Sequence, residues 1–134
     1  MASETSAHGT HFPRPGWAEQ APEDWWRAVC AATRAVVADV DPADIRGLAF
    51  AGQMLALVPM DAHGRPTRPA LSWLDHRAEE QARRITRSMG GERVLRLVVG
   101  GSPTGKDLVA KVAWIREREP DVHAATHVYG DATS

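Results

Sequence analysis

Gln53, Trp73, Asp75 and Arg77 carry side chains capable of chemistry at points where apolar runs give out. Gln53 stands between Ala51-Gly52 and the run Leu55, Leu57, Val58 and Met60, where a strand would end. Trp73, Asp75 and Arg77 fall where the next strand gives way to a helix, and strand ends are where α/β folds hold ligands. An indole beside an amide and a carboxylate can build one wall of a sugar site, with the ring under C–H faces and the polar groups on hydroxyls. Spacing leaves two readings open. Trp73 serves as such a wall or as core, and Asp75 as a ligand contact or as a helix N-cap for the N–H groups of Arg77 or Ala78; for Asp75 both roles are compatible.

Gly100-Gly101-Ser102-Pro103-Thr104-Gly105-Lys106 spells G-x-x-x-x-G-K, with an apolar run before it and a helical pattern after it. Asp107 then stands where a Ser or Thr hydroxyl should meet Mg²⁺, and its charge would oppose phosphate. No βαβ frame leads into the loop, so it reads as a glycine-rich connection before a helix. His8, His11, His63, His76, His123 and His127 are too scattered for a metal set. Asp61 reads as a turn former that bonds its own backbone.

The 134 residues, 43% hydrophobic and 25% charged, allow one globular domain. A formal charge of −1 provides no field for nucleic acid or for an anionic membrane surface. The single cysteine, Cys30, lies in a helical pattern as a small apolar residue, compatible with a reducing cytoplasm. Residues 1–10 lack the basic start and apolar core of a signal peptide, and no apolar run is long enough to span a bilayer.

These residues need elements to hold them. Residues 1–12 show no periodicity and read as extended or disordered, leaving 13–134 as the domain. From Pro22, the residues Trp25, Trp26, Val29, Ala32, Val36, Val37 and Val40 recur at helical steps. Pro22 suits the first turn, Glu23 and Asp24 its dipole, and Asp41-Pro42 stops the helix. Gly47 to Arg77 reads as a hairpin: a strand from Ile45 to Phe50, the run to Met60, a turn at Asp61-Ala62-His63-Gly64, and a return through Pro66 and Pro69 to Trp73. His76 to Ser88 reads as a solvated surface helix, and Val94 to Val99 as either helix or strand. A helix over Asp107 to Arg118 and a strand opening at His127 complete the pattern.

Several words of the chain resemble the FGGY carbohydrate kinases, in particular xylulokinase-like members. Pro15-Gly16-Trp17-Ala18-Glu19-Gln20-Ala21-Pro22-Glu23-Asp24-Trp25-Trp26 is close to PGWxEQDPEDWW, and Ile45 to Met54 is close to IxGIxxxGQM. Asp61 with Gly64-Arg65-Pro66 matches D-x-x-G-x-P, Arg68 to Arg77 resembles RPAIxWxDxR, and Lys111 to Ile115 before Glu119-Pro120 is similar to KLLWLxxxEP. The resemblance covers residues 13 to 120. It implies an α/β, ribonuclease-H-like fold of the sugar kinase, actin and Hsp70 type, and transfer of the ATP γ-phosphate to a sugar such as a ketopentose or polyol. It also implies that Gln53, Met54, Leu55, Trp73 and Asp75 lie at the sugar site. One departure bears on specificity: xylulokinases follow G-Q-M with His-Gly, whereas this chain has Leu55-Ala56.

The resemblance further implies an incomplete N-terminal domain lacking the first strands. The D-x-G-T turn that holds Mg²⁺ and phosphate in the family precedes the PGWxEQ word, and the catalytic aspartate and the adenine-binding domain follow the region matched here. Phosphoryl transfer depends on positioned metal, phosphate contacts and a base. The expectation is a fragment, whether a truncated gene, a pseudogene product or a misplaced start. ATP and Mg²⁺ are then the family's cofactors but are not expected to bind this chain alone, and catalytic and metal residues are absent from it. A helix over 22–40 without its sheet should expose an apolar patch, leading to self-association or to docking on a complementing kinase polypeptide. The alternative is a non-catalytic binding remnant of the same fold.

Overall fold

The computed structural model describes residues 2–132. Its elements run β1 (Glu19–Gln20), α1 (Pro22–Val36), β2 (Val58–Met60), β3 (Ala70–Leu71), α2 (Glu79–Ser88), α3 (Glu92–Val99), α4 (Leu108–Arg118), α5 (Pro120–Ala125) and β4 (Val128–Gly130), with a 3-10 turn at Pro42–Asp44. Small side chains decide where the helices meet. Ala78 and Ala82 on the α2 side and Ala110 on α4 are fully buried, which lets the two backbones approach closely. Leu57, Leu71, Trp114 and Ile115 complete this core, with Trp17, Ile85, Leu108, Val112, Val122 and Tyr129 packed around it.

Strand pairing is short and antiparallel. β1 pairs with β3, setting Glu19 opposite Leu71 and Gln20 opposite Ala70. β2 pairs with β4, setting Val58 opposite Gly130 and Met60 opposite Val128. Leu57 and Leu71 exchange backbone hydrogen bonds at 2.9 Å, which joins the two sheets.

The expected turn forms: Asp61 accepts from the N–H groups of His63 at 2.8 Å and Arg65 at 2.9 Å, and Gly64 takes a φ of 74°. Those amides hold the Asp61 carboxyl below its ordinary range, the Arg65 N–H contributing most. The hairpin itself is not continuous. Its two arms meet in scattered contacts, at Leu57 with Leu71, at Met60 with Pro66 and through the Thr67 N–H to the Pro59 carbonyl at 2.9 Å, while their ladders run to β4 and β1. Pro66 and Pro69 have no N–H to give, so the return arm cannot carry an uninterrupted ladder.

Three other expectations change. Ile45 to Phe50 is not a strand; it runs exposed without regular structure, because no described segment lends it an edge to bond. Helix α1 ends at Val36 rather than Val40, and Val37 to Val40 is a turn. Helix α2 begins at Glu79 rather than His76, and is not wholly solvated, since Gln81 and Ala82 are buried against α4. The run that was ambiguous between helix and strand is helical: in α3 only Leu95 is buried.

Apolar surface is conspicuous on α1 and the segment after it. No residue of α1 is buried; Trp26 is 64% exposed, and beyond the helix Leu48 and Phe50 are 73% and 69% exposed. A hydrophobic fluorescent dye should therefore brighten on the native chain, and Leu48→Ser with Phe50→Ser should reduce that signal. A flat response contradicts the exposure described. Gly105 tests the packing of the opposite side, because a Cβ there would lie 2.7 Å from both the Glu79 nitrogen and the His76 carbonyl. Gly105→Ala should lower unfolding free energy in urea by about 2 kcal/mol, whereas Gly101→Ala, which meets nothing, should not.

Candidate functional site

The junction leaving β3 is built around one carboxylate. Asp75 is fully buried and its Oδ2 accepts from the Ala18 N–H at 2.7 Å. Its Oδ1 accepts from the Arg77 N–H at 3.0 Å, and the Arg77 side chain closes on both oxygens at 2.8 to 3.0 Å. Arg77, its side chain also without solvent exposure, reaches Glu19 at 2.8 Å and lies over Trp17, 3.8 Å from the ring centroid, with Trp114 at 5.0 Å. Arg68 bridges Glu19 and Glu119 beside it. Around Trp73 the backbone is pinned on both sides: Ser72 donates to the Ala18 carbonyl at 2.9 Å and His76 to the Gly16 carbonyl at 2.8 Å. The indole of Trp73 is thereby held at the surface, 47% exposed.

Gln53 approaches from the other side. Its Nε2 donates to the Gln20 side chain at 2.6 Å, and Gln20 in turn donates to Thr10 at 2.8 Å. Gln53 and Trp73 line one hollow of about 700 Å³, together with Gln20, Trp25 and His8. Leu55, two positions on, takes a φ of 63°, unusual for a branched side chain. Its carbonyl accepts from the buried Lys111 ammonium at 2.7 Å, which also donates to the Ser72 carbonyl at 2.8 Å. Burial pushes the Lys111 ammonium down to about 8, against the opposing pull of Asp75 and Asp107.

A family model for the N-terminal domain of the FGGY family of carbohydrate kinases matches residues 1–134. The chain belongs to the FGGY family. It is 36% identical over 108 residues to the xylulose kinase of Streptomyces rubiginosus, covering 81% of this chain and 22% of that protein. To the xylulose kinase of Escherichia coli K12 it is 30% identical over 122 residues, covering 91% and 25%. The solved xylulose kinase of Rhodospirillum rubrum superposes with a TM-score of 0.82 at 26% identity, over 93% of this chain and 26% of that one. The glycerol kinase of Plasmodium falciparum, at 18% identity and a TM-score of 0.80 over 95% of this chain and 27% of its own, shares the fold. The α/β arrangement is thus that of the sugar kinases, of the actin and Hsp70 type. The chain spans about a quarter of the length of the relatives it matches.

Against this FGGY frame the site residues named from sequence separate. Gln53 and Trp73 meet in one hollow, while Met54, 76% exposed, and Leu55 do not line it. Leu55 enters the site through its backbone, and Asp75 is turned away into the Ala18 and Arg77 contacts. The N-cap-like bond to the Arg77 N–H forms, two residues before α2 begins at Glu79. In the glycine-rich loop two amides are occupied by carboxylates: Thr104 N–H donates to Asp107 at 2.7 Å and Gly105 N–H to Glu79 at 2.9 Å. Lys106 extends over the Trp73 ring at 5.5 Å instead of toward that loop. Among the described residues no set of three His, Cys, Asp or Glu could hold a metal, and no helix is long and apolar enough to cross a membrane.

Sequence reasoning assigned no role to Lys111, nor to the Glu19, Arg68 and Glu119 cluster. A signal for Lys111 was present: it falls within the stripe Ala110, Trp114 and Ile115, where a charge has to find partners. Asp75→Asn should destabilise the chain by roughly 3 kcal/mol, since it strips charge from a buried pair. Arg65→Ala removes only an exposed partner of Asp61 and should leave the urea midpoint nearly unchanged. Equal effects of the two would mean the Asp75 carboxylate is not the junction's support.

Proposed function

We propose that this chain supplies the sugar-binding wall of an FGGY kinase acting on a ketopentose or polyol. The observation that carries the reading is the shared hollow of Gln53 and Trp73, which joins an amide to an exposed indole face at a strand end. In it the Trp73 ring stacks on sugar C–H groups and the Gln53 amide bonds a hydroxyl. Met54 extends the rim, while Leu55 and Asp75 belong to the site as backbone and junction supports. Leu55 stands where xylulokinases carry a histidine, which favours a sugar hydroxyl pattern different from that of xylulose.

In the active kinase ATP would supply the phosphoryl group and Mg²⁺ would offset the phosphate charge, but the described residues do not fit them. The glycine-rich loop's Thr104 and Gly105 amides are bonded to carboxylates, and a loop that cradles phosphate needs such N–H groups free. Nucleotide contacts and the catalytic base therefore fall to other parts of the kinase, and the chain alone is inactive. A cytoplasmic location, with access to ATP, fits this role. A second reading is favoured by the exposed Trp26, Leu48 and Phe50: a non-catalytic module that self-associates or docks on a complementing kinase polypeptide through that face. On either reading residues 13–134 are the domain, with residues 1–12 ahead of it.

Calorimetry with a panel of ketopentoses and polyols separates the two. Sugar binding should be retained by the chain, vanish in Trp73→Ala and weaken about tenfold in Gln53→Ala. Absence of sugar binding together with self-association favours the non-catalytic module. Nucleotide binding abolished by Lys106→Ala, or ATP-dependent phosphorylation of any sugar by the chain alone, would contradict the assignment of phosphate handling elsewhere.

A further inference from the structure

Lys111 is fully buried, yet no carboxylate touches it among the described residues. Its Nζ is met by backbone carbonyls only: Leu55 at 2.7 Å, Ser72 at 2.8 Å and, more weakly, Leu71 at 3.5 Å. A buried charge satisfied by carbonyl dipoles is costly unless its geometry is held. Those carbonyls belong to two segments far apart in the chain, and each adjoins one side of the hollow. Leu55 lies two positions after Gln53, and Ser72 immediately precedes Trp73. Leu55 is also held in a left-handed backbone conformation that a branched side chain rarely adopts, and such strain persists only where surrounding contacts fix it.

We propose that Lys111 is a positioning residue for the sugar wall: its ammonium ties the Gln53 segment to the Trp73 segment, so that amide and indole face a common hollow. The inference rests on the sugar-site reading for its functional consequence, but the tether itself can be tested without sugar. Three donors are available only while the amine is protonated, and the tether loosens as the proton leaves. Asp75 from the junction and Asp107 from the start of α4 favour the charged form; Arg77 and Lys106 oppose it. Burial outweighs these and brings the transition to about 8, well below the ordinary lysine range.

The experiment follows the Gln53 side-chain amide, the Trp73 indole N–H and the Lys111 side-chain carbons by nuclear magnetic resonance, in the whole chain, from about pH 6 to about pH 10. The Gln53 and Trp73 signals should move with the midpoint of Lys111, while the Trp26 indole on exposed α1 stays in place. Lys111→Met should displace both signals and remove their pH response. Calorimetry with the sugar that binds best should show on the order of tenfold weaker binding in that variant, and a loss in the native chain across the same midpoint. Gln53 and Trp73 signals that stay flat while Lys111 titrates overturn the proposal, as does Lys111→Met with both signals unmoved. If Lys111→Met does not fold, the native titration decides alone. A native chain that binds no sugar but shows the coupled signals removes the sugar reading and leaves the tether standing.

Discussion

Everything that positions this surface depends on a buried ion pair closed into a ring of contacts. Asp75 and Arg77 are each fully withdrawn from water, and such a pair stabilises only when its remaining oxygens and N–H groups find partners. Here most of them do so across the chain: the Ala18 amide gives its N–H to one carboxylate oxygen, Glu19 takes one guanidinium nitrogen, and the faces of Trp17 and Trp114 receive the flat side, against which the Arg77 Nη1 is buried without a hydrogen-bond partner. The pair thereby binds the segment before α1, the end of β3 and helix α4 in one arrangement. Short strands of two or three residues could not fix that geometry by ladder bonds alone.

A division of labour follows for the charged residues Asp75, Arg77 and Lys111. Asp75 and Arg77 are consumed by structure, although their position at a strand end suggested ligand contact. Lys111, which looked like one more helical residue, has a conformation-setting role because its acceptors are carbonyls on both sides of the hollow. On the proposed sugar-site reading, the groups offered to a ligand are the neutral Gln53 amide and Trp73 ring, with the Lys106 ammonium 5.5 Å from that ring. Neutral amides and aromatic faces suit a polyhydroxylated molecule, which has many weak donors and acceptors and no charge to pair.

The apolar surface of α1 and of residues 45–50 has a common physical origin. A helix stripe or a strand-like run acquires stability from what it covers; α1 is covered only in part, with no residue fully buried, and residues 45–50 are exposed. The chain spans about a quarter of the length of the kinase relatives it matches.

Much of this was legible in the order of residues. Helix α1 follows from the steps of its tryptophans and valines with Pro22 at its start, the turn at Asp61 to Gly64 from Asx chemistry and a glycine, and α4 from its periodicity. The quoted words of the chain led to the carbohydrate kinase family and its fold. The resemblance also implied one site for Gln53 and Trp73, and the two line one hollow. What sequence could not settle was pairing and burial. Ile45 to Phe50 has every local mark of a strand, but a strand exists only through its neighbour's hydrogen bonds, and that neighbour is a tertiary matter. Asp75 was open between capping and binding until Ala18 and Arg77 were seen to occupy both of its oxygens. The role of Lys111 depends on carbonyls 56 and 39 positions away in sequence, contacts that no local pattern records.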